Sequence, residues 1–61
     1  MKHGARVFPL NNGKALVKQT VYKSQSNQYV IDGHRERHVD LNNDAEVAGA
    51  IRDALAGQLP P

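Results

Sequence analysis

Asn43-Asp44-Ala45-Glu46-Val47-Ala48-Gly49-Ala50-Ile51-Arg52-Asp53-Ala54-Leu55-Ala56-Gly57 contains the start, the apolar stripe and the stop of one amphipathic helix. Asn43 is a good N-cap, and Glu46 then falls three positions later, where a capping box places its carboxylate. Asp44 adds negative charge at the positive end of the helix dipole. Val47, Ala48, Ile51, Ala54 and Leu55 recur at helical spacing and form the stripe to be buried. Gly57 supplies the stop, so the helix is expected from about Asp44 to Ala56. Gly49, inside it, costs about 1 kcal/mol relative to alanine, and its presence reflects either a close packing contact or simple indifference at that position.

A helix with one apolar stripe needs a surface to lie on, and the residues before it supply strands. Residues 6–10 are β-prone but contain Pro9, which cannot donate to a ladder, so they read as an edge strand. Asn11-Asn12-Gly13 offers the positive φ of a tight hairpin turn. Residues 15–23 are rich in β-branched and aromatic side chains and form a strand. Ser24-Gln25-Ser26-Asn27 is a loop, residues 28–32 are a short strand, and Asp32-Gly33 is a hairpin signal returning the chain through residues 35–41. The expected fold is α+β: a three- or four-stranded antiparallel sheet with the C-terminal helix on one face.

The helix also constrains the register of that sheet. A two-residue turn at Asp32-Gly33 would put Val39 on the face opposite Tyr29 and Ile31 and split the core. One extra residue, as a longer loop or bulge, gathers Tyr29, Ile31, Val39 and Leu41 on the helix side. Arg35 and Arg37 then join that side, while Glu36, His38 and Asp40 face away.

With 61 residues the chain has room for a single domain, 1–61, with residues 1–5 and 60–61 read as flexible tails. Its core is thin, and having no cysteine it can use neither a disulfide nor a thiolate zinc site as a staple. That leaves dimerisation or a partner. No run of about 18 apolar residues and no signal-peptide pattern occurs, so no membrane is expected and the cytoplasm is the default location. A net charge of +2 is too slight to dictate a polyanionic partner through its overall field.

Little in the sequence points to catalysis. His34 and His38 would lie about 13 Å apart on a strand, at roughly 3.3 Å per residue, too far to share one ion, although Glu36 and Asp40 sit nearby. Ser24 and Ser26 lack a glycine elbow, and no glycine-rich loop precedes the helix. A carboxylate pair of Glu36 and Asp40 would need walls that a small sheet does not supply. A non-enzymatic interaction module without metal or cofactor is expected, and its partner is a nucleic acid or a protein, a second copy of the chain included.

The basic residues support the first choice. Val21-Tyr22-Lys23, Asn27 to Ile31, Asp32 to His38 and the Leu41-Asn42-Asn43-Asp44-Ala45-Glu46 helix start resemble, over about 40 residues, three-stranded DNA-binding domains: the arm-binding domains of phage-type integrases and plant ethylene-response domains. The resemblance implies a sheet laid in the major groove, with Lys18, Lys23, Arg35 and Arg37 touching bases or phosphates. The chain departs from that pattern in having no tryptophan, in Tyr29 at the aromatic position, in Gln28 where a basic residue is common, and in Glu36 and Asp40 on the strand that should be most positive. A competing reading leaves the arginines at the rim of the helix–sheet core, stems packed and heads solvated. A second resemblance covers Leu41 to Leu55, which is similar to the closing helix of some contact-dependent-inhibition immunity proteins and implies a protein partner.

Overall fold

The computed structural model describes residues 2–61. It contains β1 (His3–Pro9), β2 (Lys14–Lys23), β3 (Gln28–Asp40) and α1 (Asp44–Leu55). The strands form one antiparallel sheet in the order β1-β2-β3, and α1 packs across all of them on one face. The expected α+β class holds, in its three-stranded form.

Local chemistry accounts for the turns and caps. Asn12 and Gly13, at φ 64 and 71°, make the β1–β2 hairpin. Asn27, at φ 53°, closes the loop into β3. The Asn43 side chain accepts from the Glu46 N–H at 3.1 Å, as an N-cap should. The other half of the capping box is diverted, because the Glu46 carboxylate accepts from the N–H of Asp40 at 3.3 Å. At the far end Gly57, at φ 72°, lets its own N–H reach the Ala54 carbonyl and the Gln58 N–H reach Asp53, the paired bonds of a Schellman motif.

Several expectations are corrected. β1 begins at His3, so the tail read over residues 1–5 gives up His3, Gly4 and Ala5 to a strand, while Met1 lies outside the described residues. The Asp32-Gly33 dipeptide is not a hairpin: β3 runs through it, and residues 28–32 and 35–41 belong to one strand ending at Asp40. The positive φ of Gly33, 58°, serves a bulge instead. Between the pairs Thr20↔Ile31 and Lys18↔Glu36, β2 contributes only Gln19 and β3 contributes Asp32, Gly33, His34 and Arg35.

That odd excess reverses which side chains of β3 face the helix. Val39 and the two arginines lie on the helix side, as the register argument requires, but Tyr29 and Ile31 pair with Tyr22 and Thr20 on the opposite face. Leu41 is exposed as well. The place meant for Tyr29 and Ile31 is filled by Leu59, which returns from the end of α1 and is fully buried beside Ala15, Val17, Val39, Ala50 and Ala54. Small side chains on both surfaces let helix and sheet approach closely, with Ala5, Val47 and Ile51 at the border. Leu55 and Ala48, both expected in the buried stripe, are exposed, Leu55 at 55%, and Ala50 is buried in their stead. Gly49 meets nothing within 4 Å of where a Cβ would stand, so no packing contact explains it.

Candidate interaction surface

On β2 the odd-numbered side chains from Ala15 to Val21 point toward α1, and the even-numbered ones point away. Register then assigns the uncovered face: Gly4, Arg6 and Phe8 from β1, Leu16, Lys18, Thr20 and Tyr22 from β2, and Tyr29, Ile31, Glu36 and His38 from β3. No other element lies over it among the described residues.

The four basic residues expected to form a nucleic-acid surface are not brought together. Arg35 donates to the Leu59 carbonyl at 2.7 Å. Arg37 is paired with Asp53 of the helix at 2.9 Å. Both guanidiniums therefore serve the helix side of the sheet. Lys18 lies on the uncovered face, 3.5 Å from Glu36, with its ammonium 5.7 Å from the Phe8 ring centre. Lys23 is exposed at the far end of β2, beside the Ser24–Asn27 loop.

Arg35 belongs to a clasp built opposite the bulge. Gln19 is 1% exposed. Its Nε2 donates to Asp32 Oδ2 at 2.7 Å, and its Oε1 accepts from the N–H of Leu59 at 3.0 Å. Arg35 holds the Leu59 carbonyl and lies 4.0 Å from the same Asp32 oxygen. Both backbone groups of Leu59 are thus paired by side chains of the sheet, which satisfies the buried polar atoms. The clasp has a structural role, and it turns Asp32 toward Gln19 and Arg35 toward the Leu59 carbonyl.

What remains on the uncovered face is aromatic and aliphatic. Tyr22 and Tyr29 meet edge to face across the strands with ring centres 5.3 Å apart, and Lys2 lies over Tyr22 at 5.6 Å. The Tyr29 ring leans over Gly4, where a Cβ would come within 3.5 Å of it and 2.6 Å of Thr20 Oγ1. Thr20 is buried beneath that lean. Phe8 and Tyr29 remain 37% and 43% exposed. On this face Lys18 is paired with Glu36 and, at its end, Lys14 with Asp40 at 3.6 Å, while Lys2 and Arg6 have no carboxylate partner among the described residues.

Two hollows adjoin the sheet. One, of about 350 Å³, wraps the outer edge of β1 and is lined by His3, Gly4, Arg6, Tyr29 and Leu55 among others. The second, about 260 Å³, lies at the end of β3 among Lys14, His38, Val39, Asp40 and Glu46. Both are open, and no group of three or more His, Asp or Glu side chains gathers among the described residues. His34 and His38 are exposed, His34 in the bulge and His38 on the uncovered face.

The strand alternation of Arg6, Phe8, Leu16 and Tyr22 was a signal for this surface. β2 carries large apolar side chains on both faces, Leu16 beside Val17 and Tyr22 beside Val21, which marks a central strand with something to cover on each side.

No protein-family model matches the chain, and no curated protein or solved structure matches it either. The surface must therefore be read from its own chemistry.

Proposed function

We propose that the chain is a small non-enzymatic protein-binding module that docks through the uncovered face of its sheet. The observation that carries this reading is the row Phe8, Leu16, Tyr22, Tyr29 and Ile31 on a face where Lys18 is paired with Glu36 and Lys14 with Asp40, and where Lys2 and Arg6 flank the aromatic rings. Tyrosine and other aromatics are enriched at the centres of protein interfaces and charged residues are depleted there, whereas a duplex-binding sheet needs unpaired cations for phosphate contacts. Arg35 and Arg37, the strongest candidates for such contacts, are engaged with Leu59 and Asp53 on the other side. Both hollows beside the sheet are open, an arrangement suited to binding.

The test pairs two measurements on the intact chain. A photo-crosslinking amino acid is placed at position 8 or 16, and at position 45 or 48 on the exposed side of α1 as a control. A discrete protein adduct from the sheet positions alone, competed away by purified unmodified chain and lost in Tyr29→Asp, is expected. Beside it, short random duplex DNA is titrated at low and moderate salt while backbone amide shifts are followed. Saturable shifts at Lys18 and Lys23 that fade with salt, with no protein adduct, would replace the protein partner by DNA.

A further inference from the structure

The outer edge of β1 is a free strand template with a regular register. The Tyr22 N–H donates to the Lys2 carbonyl, and the Leu10 N–H donates to the Lys14 carbonyl. Even-numbered residues of β1 therefore bond inward to β2, and by alternation His3, Ala5 and Val7 turn both N–H and C=O outward. No bulge or irregularity interrupts the β1–β2 register from His3 to Pro9. An edge of this kind is normally blunted by a bulge, a proline, a charge turned inward or a covering element, and on β1 the proline comes at the last residue, Pro9. Here it is flanked by the 350 Å³ hollow and by Leu55, which is 55% exposed.

We infer that β1 pairs antiparallel with β1 of a second copy, joining two sheets into one across a two-fold axis at Ala5. This goes beyond the docking reading: its hydrogen bonds come from the strand edge, and it shares Phe8 and Tyr29 with the uncovered face at the rim.

Self-complementarity selects the register. A two-fold axis requires outward-bonding residues to meet one another, so it can pass beside Gly4, Ala5, Arg6 or Val7. With the axis at Gly4, Arg6 stands opposite the second copy's Lys2, a like-charge pair. At Arg6, the arginine stands opposite itself, and His3 is matched with Pro9, which has no N–H to give. At Val7, Ala5 is matched with that same proline. Only the axis at Ala5 lets His3, Ala5 and Val7 all exchange both bonds, with Ala5 against Ala5 and His3 against Val7.

The same register sets Arg6 directly opposite Gly4 on the uncovered side. Thr20 Oγ1 and the Tyr29 ring already cover Gly4, so the arginine stem from one copy runs along the outer side of that cover and brings its guanidinium to Tyr29, whose ring stands 3.5 Å from the Gly4 Cβ position. Among the described residues Arg6 has no ion-pair partner within its own chain. Lys2 then falls opposite Phe8, again a cation beside an aromatic ring. On the helix side the two Leu55 side chains flank the joined strands, in the hollow they line beside His3 and Ala5. The free edge, the hollow over Gly4 and the exposed Leu55 are covered by one operation.

The experiment is sedimentation equilibrium of the 61-residue chain over a wide concentration range, with amide hydrogen exchange at its two ends. Mass should rise from 6.7 kDa toward twice that value. The Ala5 and Val7 amides should slow at least ten-fold at the high end. Ala5→Pro and Val7→Pro each remove an outward donor that bonds nothing within the chain, so either variant should stay folded by circular dichroism and sediment as a monomer throughout. Should Ala5→Pro fail to fold, Val7→Pro carries the test, because Val7 is 41% exposed. A chain that stays monomeric at millimolar concentration, with freely exchanging Ala5 and Val7 amides, overturns the proposal. So does a dimer that survives both prolines and is dissolved by Phe8→Asp, which would move association to the uncovered face.

Discussion

The two edges of the sheet are built on opposite plans. β3 is long, bulged and held by polar side chains: Gln19, Asp32 and Arg35 clasp Leu59, and Glu46 covers the outward N–H of Asp40. β1 is short, unbulged and held by close approach, with Gly4 beneath Tyr29 and Thr20 and the His3 ring 2.6 Å from where a Cβ on Gly57 would stand. His3 Nδ1 is buried with no hydrogen-bond partner. The bulge that spoils β3 as a template for another strand also makes room for the tail that completes the core. β1 has no bulge and carries its proline, Pro9, at the last position, so the edge from His3 to Val7 remains available.

If β3 depends on its clasp, the largest effect should come from Leu59. Leu59→Ala removes a fully buried side chain and should cost about 3 kcal/mol, within the range of buried leucine truncations. For a domain this small that is a large share of total stability, so the urea midpoint should fall steeply or the chain should be unfolded in buffer. A loss under about 1 kcal/mol would mean that the tail is a passenger and that β3 stands without it. Gln19→Ala is the sharper cut. It leaves the buried Leu59 N–H without an acceptor and removes the donor to Asp32, and should cost about 2 kcal/mol. Hydrogen exchange should show the loss concentrated at Leu59 and the bulge, with β1 protected as before.

The contrast between the edges also explains which features were legible in the sequence. The β1–β2 turn at Asn12-Gly13, the Asn43 cap and the Gly57 stop are local devices, each set by a residue whose own φ or side chain does the work. They could be read without knowing the fold. Asp32-Gly33 was equally visible, but a glycine with positive φ serves a hairpin and a bulge alike. What decides between them is whether β2 is long enough to pair with both halves of β3, a tertiary fact. Leu59 was hidden for the same reason: beyond the helix stop, nothing nearby in sequence reveals that a leucine turns back onto Gln19. Arg35 and Arg37 do lie on the helix side, as grouping them with Val39 implies, but the same grouping fails for Tyr29 and Ile31, which take the other face. The uncovered surface was legible only as alternation.

On the β1 side the effects are smaller and of a different kind. Gly4→Ala forces its methyl against the buried, β-branched Thr20, whose Oγ1 stands 2.6 Å from that position, and should cost about 1 to 2 kcal/mol by overpacking. Cross-peaks from Tyr29 should move with it. An unchanged urea midpoint would show that Thr20 can rotate away and that β1 is not held by this contact. Gly49→Ala is the control glycine. It lies on the helix with open space at its Cβ position, so it should stabilise the chain by about 0.5 to 1 kcal/mol through helix propensity alone. A destabilisation there would reveal a close approach that the geometry lacks.

Arg37→Ala should have the smallest effect, and it separates two roles of the same side chain. The Arg37–Asp53 pair joins β3 to α1 at 2.9 Å, but each side chain is 36% exposed, so water and salt screen it. An exposed pair of this kind contributes about 0.5 kcal/mol, and the loss should vanish in 1 M salt. A loss that persists in high salt would come from the arginine stem, packed against the core border, and would make Arg37 a hydrophobic strut more than a charge. In either case the residue acts inward. Duplex DNA affinity, if any is measured, should then be unchanged in Arg37→Ala, whereas Lys18→Ala and Lys23→Ala would weaken it and lower its salt dependence. A DNA affinity that falls with Arg37 would mean that the Asp53 pair opens to release the guanidinium, and β3 would then be the working edge in place of β1.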